Sequence, residues 1–138
     1  MKNLKQITLA LVFIVISAFT VNYKSEDQTK PKGKEWKVPV ADAKLKSPIK
    51  ADENAIKEGK AIYLRECKSC HGTKGLGDGP KAEKIDISCG DFSSKEFKAL
   101  TDGEIYYYTT TGRKPMPSYK EKLSNTERWQ LVAYLRTL

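Results

Sequence analysis

The chain has 138 residues, 39% of them hydrophobic and 30% charged, with a formal net charge of +8 at pH 7. That leaves room for one soluble domain with a modest core, a size at which a disulfide set, a metal or a buried cofactor usually supplies part of the stability. The three cysteines, odd in number and with one close pair, exclude a disulfide framework; the basic charge comes without any nucleic-acid recognition motif, which excludes that class of partner.

In chain order, Lys2 and Lys5 precede an uncharged, largely apolar run from Ile7 to Val21. A basic start followed by such a run is the pattern of an export signal, and it predicts a periplasmic or otherwise extracytoplasmic protein. The run is shorter than the roughly twenty residues that span a bilayer comfortably, which favours cleavage over an anchor through residues 7–21. Ala18-Phe19-Thr20 is the nearest match to a cleavage site, and the absence of any cysteine before Cys67 removes the attachment point for a lipid. Residues 1–22 are thus assigned to the signal or anchor. Residues 23–51 form a polar linker rich in Lys, Pro, Asp and Ser, in which Trp36-Lys37-Val38-Pro39-Val40 is the one segment suited to docking on the domain or on a partner.

The compact domain is assigned to residues 52–138. Asp52 is a plausible N-cap, and Ile56, Gly59, Tyr63 and Cys67 recur at helical spacing, which predicts a helix from Asp52 to about Glu66. A glycine at position 59 suits a close helix crossing. The run Gly72-Thr73-Lys74-Gly75-Leu76-Gly77-Asp78-Gly79-Pro80 is too glycine-rich for a regular element, and its spacing matches no phosphate-binding motif. Thr101 with Glu104 makes a capping box that opens a short helix through Tyr106, Tyr107 and Tyr108 to a stop at Gly112. A second box, Ser124 with Glu127, opens the last helix, whose broad apolar face holds Trp129, Leu131, Val132, Tyr134, Leu135 and Leu138. No strand of convincing length is visible, so the expected fold is all-α.

The chemistry lies in Cys67-Lys68-Ser69-Cys70-His71, the spacing of covalent haem c attachment. Two thiols about one helical turn apart can add to two vinyl groups of one porphyrin, while the adjacent imidazole serves as an axial ligand. Zinc needs a fourth ligand, for which Cys89 is the only Cys or His remaining; a thioredoxin-like dithiol needs a βαβ context that is missing. His71 is the sole histidine, which rules out two histidine ligands from this chain. Of the two methionines Met1 belongs to the signal, leaving Met116, framed by Pro115 and Pro117 in an irregular segment suited to presenting a thioether.

With these residues in place, the segment from about Asp52 to Leu138 resembles a bacterial class I cytochrome c. The matching pieces are Gly59 and Tyr63, the Cys67 to His71 motif, the glycine-rich stretch ending in Gly79-Pro80, Met116-Pro117, and Trp129 with Tyr134-Leu135. The resemblance implies a small fold of short helices around one haem, with the first and last helices crossing near Gly59 and Tyr134. It also implies that the Pro80 carbonyl accepts a hydrogen bond from the His71 ring, that Met116 approaches the other haem face, and that Arg113 and Tyr106 to Tyr108 contact the propionates. Cys89 lies outside the motif and reads as a structural thiol. The expected function is single-electron transfer between Fe(III) and Fe(II), without enzymatic turnover, between donor and acceptor proteins whose acidic surfaces would suit the basic charge. A haem-bearing subunit of a membrane-associated oxidoreductase complex is the alternative, and a haem ligand sensor is disfavoured because Met116 fills the iron's coordination.

Overall fold

The computed structural model describes residues 30 and 32–138; the expected signal or anchor and the first part of the linker lie outside them. Among the described residues six α-helices run in order: α1 (Val40–Ala43), α2 (Glu53–Glu66), α3 (Lys68–His71), α4 (Lys95–Ala99), α5 (Asp102–Thr111) and α6 (Asn125–Leu135), with a 3-10 turn at Ala82–Lys84 between α3 and α4. Among the described residues there is no strand, only one isolated bridge between Arg113 and Met116. No helix among them is long and apolar enough to cross a membrane.

The four longer helices, α2, α4, α5 and α6, begin where a side chain answers a free amide of the first turn. Asp52 accepts from the Ala55 amide at 2.9 Å. Thr101 and Glu104 close a reciprocal box on α5, at 3.1 and 2.7 Å, and Ser124 and Glu127 repeat it on α6. Gly112 caps the C-terminus of α5. The sequence reading did not foresee α1, α4 or the 3-10 turn, which are all five residues or shorter and too brief to show a period.

The core forms where α2 crosses α6. Tyr63 and Ile62 of α2 and Ile105 and Tyr106 of α5 pack with Trp129, Leu131, Val132, Tyr134 and Leu135 of α6, joined by Tyr119 and Leu123 from the connecting loop. Tyr106 stacks on Trp129 with ring centroids 4.2 Å apart, and the buried Arg128 sets its guanidinium 5.1 Å from the Tyr106 ring while donating to Thr110 Oγ1 at 3.1 Å. Arg128 is therefore buried with both π and hydrogen-bond partners, which offsets its desolvation.

At the crossing itself α2 offers Gly59. A Cβ there would stand 2.0 Å from the backbone oxygen of Gln130 and 2.9 Å from the Tyr134 side chain, so only a residue without one lets the two helices approach this closely. Replacing Gly59 by alanine should lower stability by about 1–3 kcal/mol through overpacking, in spite of the roughly 1 kcal/mol that alanine gains in intrinsic helix propensity. Urea unfolding measures this; a variant more stable than the parent would contradict the close crossing.

Candidate functional site: an apolar cavity at the Cys-x-x-Cys-His motif

The α2–α6 crossing fixes where α2 ends. Its last turn passes directly into α3, with the Cys67 amide bonded to the Tyr63 carbonyl and the Cys70 and His71 amides both bonded to the Cys67 carbonyl, so the five motif residues form one tight corner. Tyr63 locks the far end of that corner, donating its buried hydroxyl to the Gly72 carbonyl at 2.6 Å. The corner opens onto a cavity of about 260 Å³.

Cys67, Cys70 and His71 line this cavity together with Met116, Arg113 and Tyr108, whereas Pro80, Tyr106 and Tyr107, also singled out from the sequence, do not. Met116 sits in a tight turn closed by two backbone hydrogen bonds with Arg113, at 2.9 and 2.8 Å, across a cis Lys114–Pro115 peptide. The rest of the lining is mainly apolar: Ile85, Ile87, Phe92 and Phe97 from the chain between α3 and α5, Ile105 and Tyr108 from α5, and Leu131 and Leu135 from α6. Sequence reasoning missed the Ile85 to Phe97 stretch. Its apolar residues are spaced irregularly through loops, and the cavity is the only thing that gathers them.

His71 is held inside by Phe92, whose ring stacks on the imidazole at 4.8 Å and 28°. Burial lowers the imidazole pKa, with the Cys89 backbone offsetting part of that effect, so the ring is neutral near pH 7. Its Nδ1 is buried without any hydrogen-bond partner. The bond to the Pro80 carbonyl expected from the resemblance is accordingly not formed. Pro80 lies exposed, between a Gly79 amide bonded to the Cys70 carbonyl and a Lys81 amide bonded to the Ser69 carbonyl, and it borders a shallower recess instead of the main cavity.

The three cysteines are free thiols. Burial, reinforced by Glu66 and Cys70, pushes the Cys67 thiol up to about 12, so it stays protonated at neutral pH. Cys89 also lines the cavity, but outside the α2–α3 corner. An apolar cavity, two thiols on one corner and a neutral buried imidazole with an unanswered nitrogen fit a large apolar group bearing two vinyl groups and a metal that takes nitrogen.

The model of the cytochrome c family matches residues 56–138, well over half of the chain. The chain belongs to the cytochrome c family. A solved structure, the reducing HAO-like protein complex from Kuenenia stuttgartiensis, contains a chain that superposes with a TM-score of 0.61 at 36% sequence identity. That match covers 75% of this cytochrome c, more than residues 56–138 alone account for, and 51% of the other chain, so this chain spans about half its length. Comparison with curated proteins gives no match.

The cofactor of this cytochrome c is haem c, with Cys67 and Cys70 at the attachment spacing. Replacing Cys67 and Cys70 together by alanine should abolish haem that stays with the polypeptide under denaturing conditions, whereas Cys89→Ser should leave it unchanged. Haem staining of a denaturing gel decides both; loss of stain in Cys89→Ser would give that thiol a share in attachment.

Tyr119 reports on the same wall. Its hydroxyl donates to the Glu66 carbonyl at 3.0 Å, and burial, followed by Cys67, Glu66 and Cys70, pushes its pKa up to about 12. A raised phenol pKa means the folded state prefers the protonated form. The stabilisation is complete below about pH 10, the unfolded value, and is lost as pH rises from there through about 12. Urea midpoints at about pH 8 and about pH 11 should differ less in Tyr119→Phe than in the parent.

Proposed function

We propose that this cytochrome c is a monohaem carrier whose iron would be held by His71 and Met116. The observation that carries the proposal is that the only histidine and the only methionine beyond Met1 both line one cavity, next to the attachment cysteines. The bound haem supplies one-electron exchange between Fe(III) and Fe(II).

The chain's part is to keep both ligands in place and water out. His71, kept neutral by burial, offers a lone pair, and the stacked Phe92 restricts its rotation. Met116 is held by the two hydrogen bonds that close its turn, so its thioether is presented by a fixed loop. A thioether ligand favours the reduced iron and raises the potential relative to a second imidazole. Arg113, at the cavity lining, would neutralise a haem propionate.

Residues 1–22 are proposed to be an export signal or anchor and residues 52–138 the haem-binding unit, in a protein working outside the cytoplasm, where cytochromes of this type are assembled. The lysine-rich chain suits partners with acidic surfaces. A second reading, a haem-bearing subunit of an oxidoreductase complex, is favoured by the likeness to a chain from the reducing HAO-like protein complex.

The test of the ligand pair is Met116→Ala in the haem-loaded protein. The parent should show the near-infrared band of a ferric haem with thioether ligation; the variant should lose it and bind external imidazole or cyanide. An unchanged spectrum overturns the assignment.

A further inference from the structure

Lys30 and residues 32–43 precede the part of the chain that matches the family, yet they close one side of its cavity. Lys30 Nζ donates to the carbonyls of Ala82 at 2.5 Å and Ile85 at 2.6 Å, fastening the start of this strap to the chain beyond α3. At its other end the carbonyl of Ala43 accepts from Thr101 Oγ1 at 2.7 Å. Between these anchors, Gly33 and Trp36 enter the cavity lining.

Trp36 meets two residues there. Its ring stacks on Tyr108 with centroids 4.5 Å apart, and the Arg113 guanidinium lies 4.6 Å from its centroid. The same guanidinium donates from Nη1 to the Glu35 carbonyl at 3.2 Å. Arg113 is thus gripped by two consecutive strap residues, one through a π face and one through a backbone oxygen. Its own backbone makes both hydrogen bonds that close the Met116 turn. A continuous line of contacts runs from the strap to Met116 with Arg113 as its one intermediate.

We infer that Trp36 is a positioning residue for Met116, holding the Arg113–Met116 turn against the cavity so that the thioether resists displacement from the iron. This rests on the proposed Met116 ligation. Trp36 acts through Arg113, restraining it from outside the turn. A guanidinium over an indole loses part of its attraction when the aromatic face is removed, and the turn it anchors then opens more often. External imidazole competes for the position that opens.

The experiment uses the full-length, haem-loaded ferric protein and titrates imidazole while following the near-infrared thioether band. Trp36→Ala should bind imidazole about fivefold more tightly than the parent, the effect expected for loss of one partly buried cation–π contact. Trp36→Leu, which keeps apolar cover but has no π face, should behave like the alanine variant, and Trp36→Phe should return most of the way to the parent. Thr101→Ala loosens the strap's far anchor and an α5 cap without touching Arg113, so it should lower stability while leaving imidazole affinity within about twofold.

Equal affinities in parent and Trp36→Ala overturn the inference, as does an equal rise in Thr101→Ala, which would mean general loosening. Restoration by Leu as fully as by Phe overturns the role of the π face. Absence of the thioether band from the parent overturns the Met116 ligation itself, a result visible before any variant is titrated.

Discussion

The structure depends on the contact between the α2 backbone at Gly59 and the Gln130 carbonyl of α6. A helix crossing that tight leaves little freedom in how α2 is rotated about its axis, because any turn away would swing Tyr63 out of contact with Tyr134, whose ring centroid is 5.3 Å away. Rotation fixed at Gly59 is also rotation fixed at Cys67, two turns further along the same helix. The chemistry of the protein thus sits at the end of a lever whose fulcrum carries no chemistry at all. The Cys67-Lys68-Ser69-Cys70-His71 corner can be short because the elements behind it are rigid.

A second consequence concerns what the core does not fill. The buried residues of α5 and α6 split between two tasks: Tyr106, Trp129 and Val132 pack within protein, while Ile105, Leu131 and Leu135 belong to the core and also line the cavity. Apolar side chains that face a buried apolar cofactor gain dispersion contacts along its surface. Burial of haem is therefore part of folding energetics in this chain, consistent with a domain whose helices are few and mostly short. Covalent attachment adds to this by making the apolar group part of the chain.

The sequence made the longest helices and most of the residues that meet at the cavity motif legible, for identifiable reasons. Asp52, the two capping boxes and the apolar stripes carry their meaning locally, within three or four residues, and α2, α5 and α6 follow from them. The gathering of the haem motif and Met116 at one cavity is long-range, but the motif's chemistry demands it, and the single histidine and single internal methionine left few choices. The parts that stayed hidden lack both kinds of signal. Phe92 and Phe97 look like isolated apolar residues until the structure stacks one on His71 and the other 4.6 Å from Phe92. Pro80 was assigned by likeness to a family pattern; the glycine-rich loop instead pins it across the backbone of α3, with the Gly79 position too close to Ser69 and Cys70 for a side chain.

The segment ahead of Asp52 shows why composition alone is a poor guide to packing. Lysine, proline and acidic residues dominate it, and its mean character is that of a solvated tether. Packing is decided by a few contacts, however, and here they are of types that composition does not register: a lysine ammonium on backbone carbonyls, an indole between a phenol and a guanidinium, and the Asp42 and Ala43 carbonyls set against Gly103 where a Cβ would collide. Each needs a partner supplied by the helical unit. Gly103 lies just inside α5, beside the Thr101 cap that also holds Ala43, so the residues that start this helix double as the seat for α1. The strap has no core of its own, and its order is borrowed from the domain that it in turn closes.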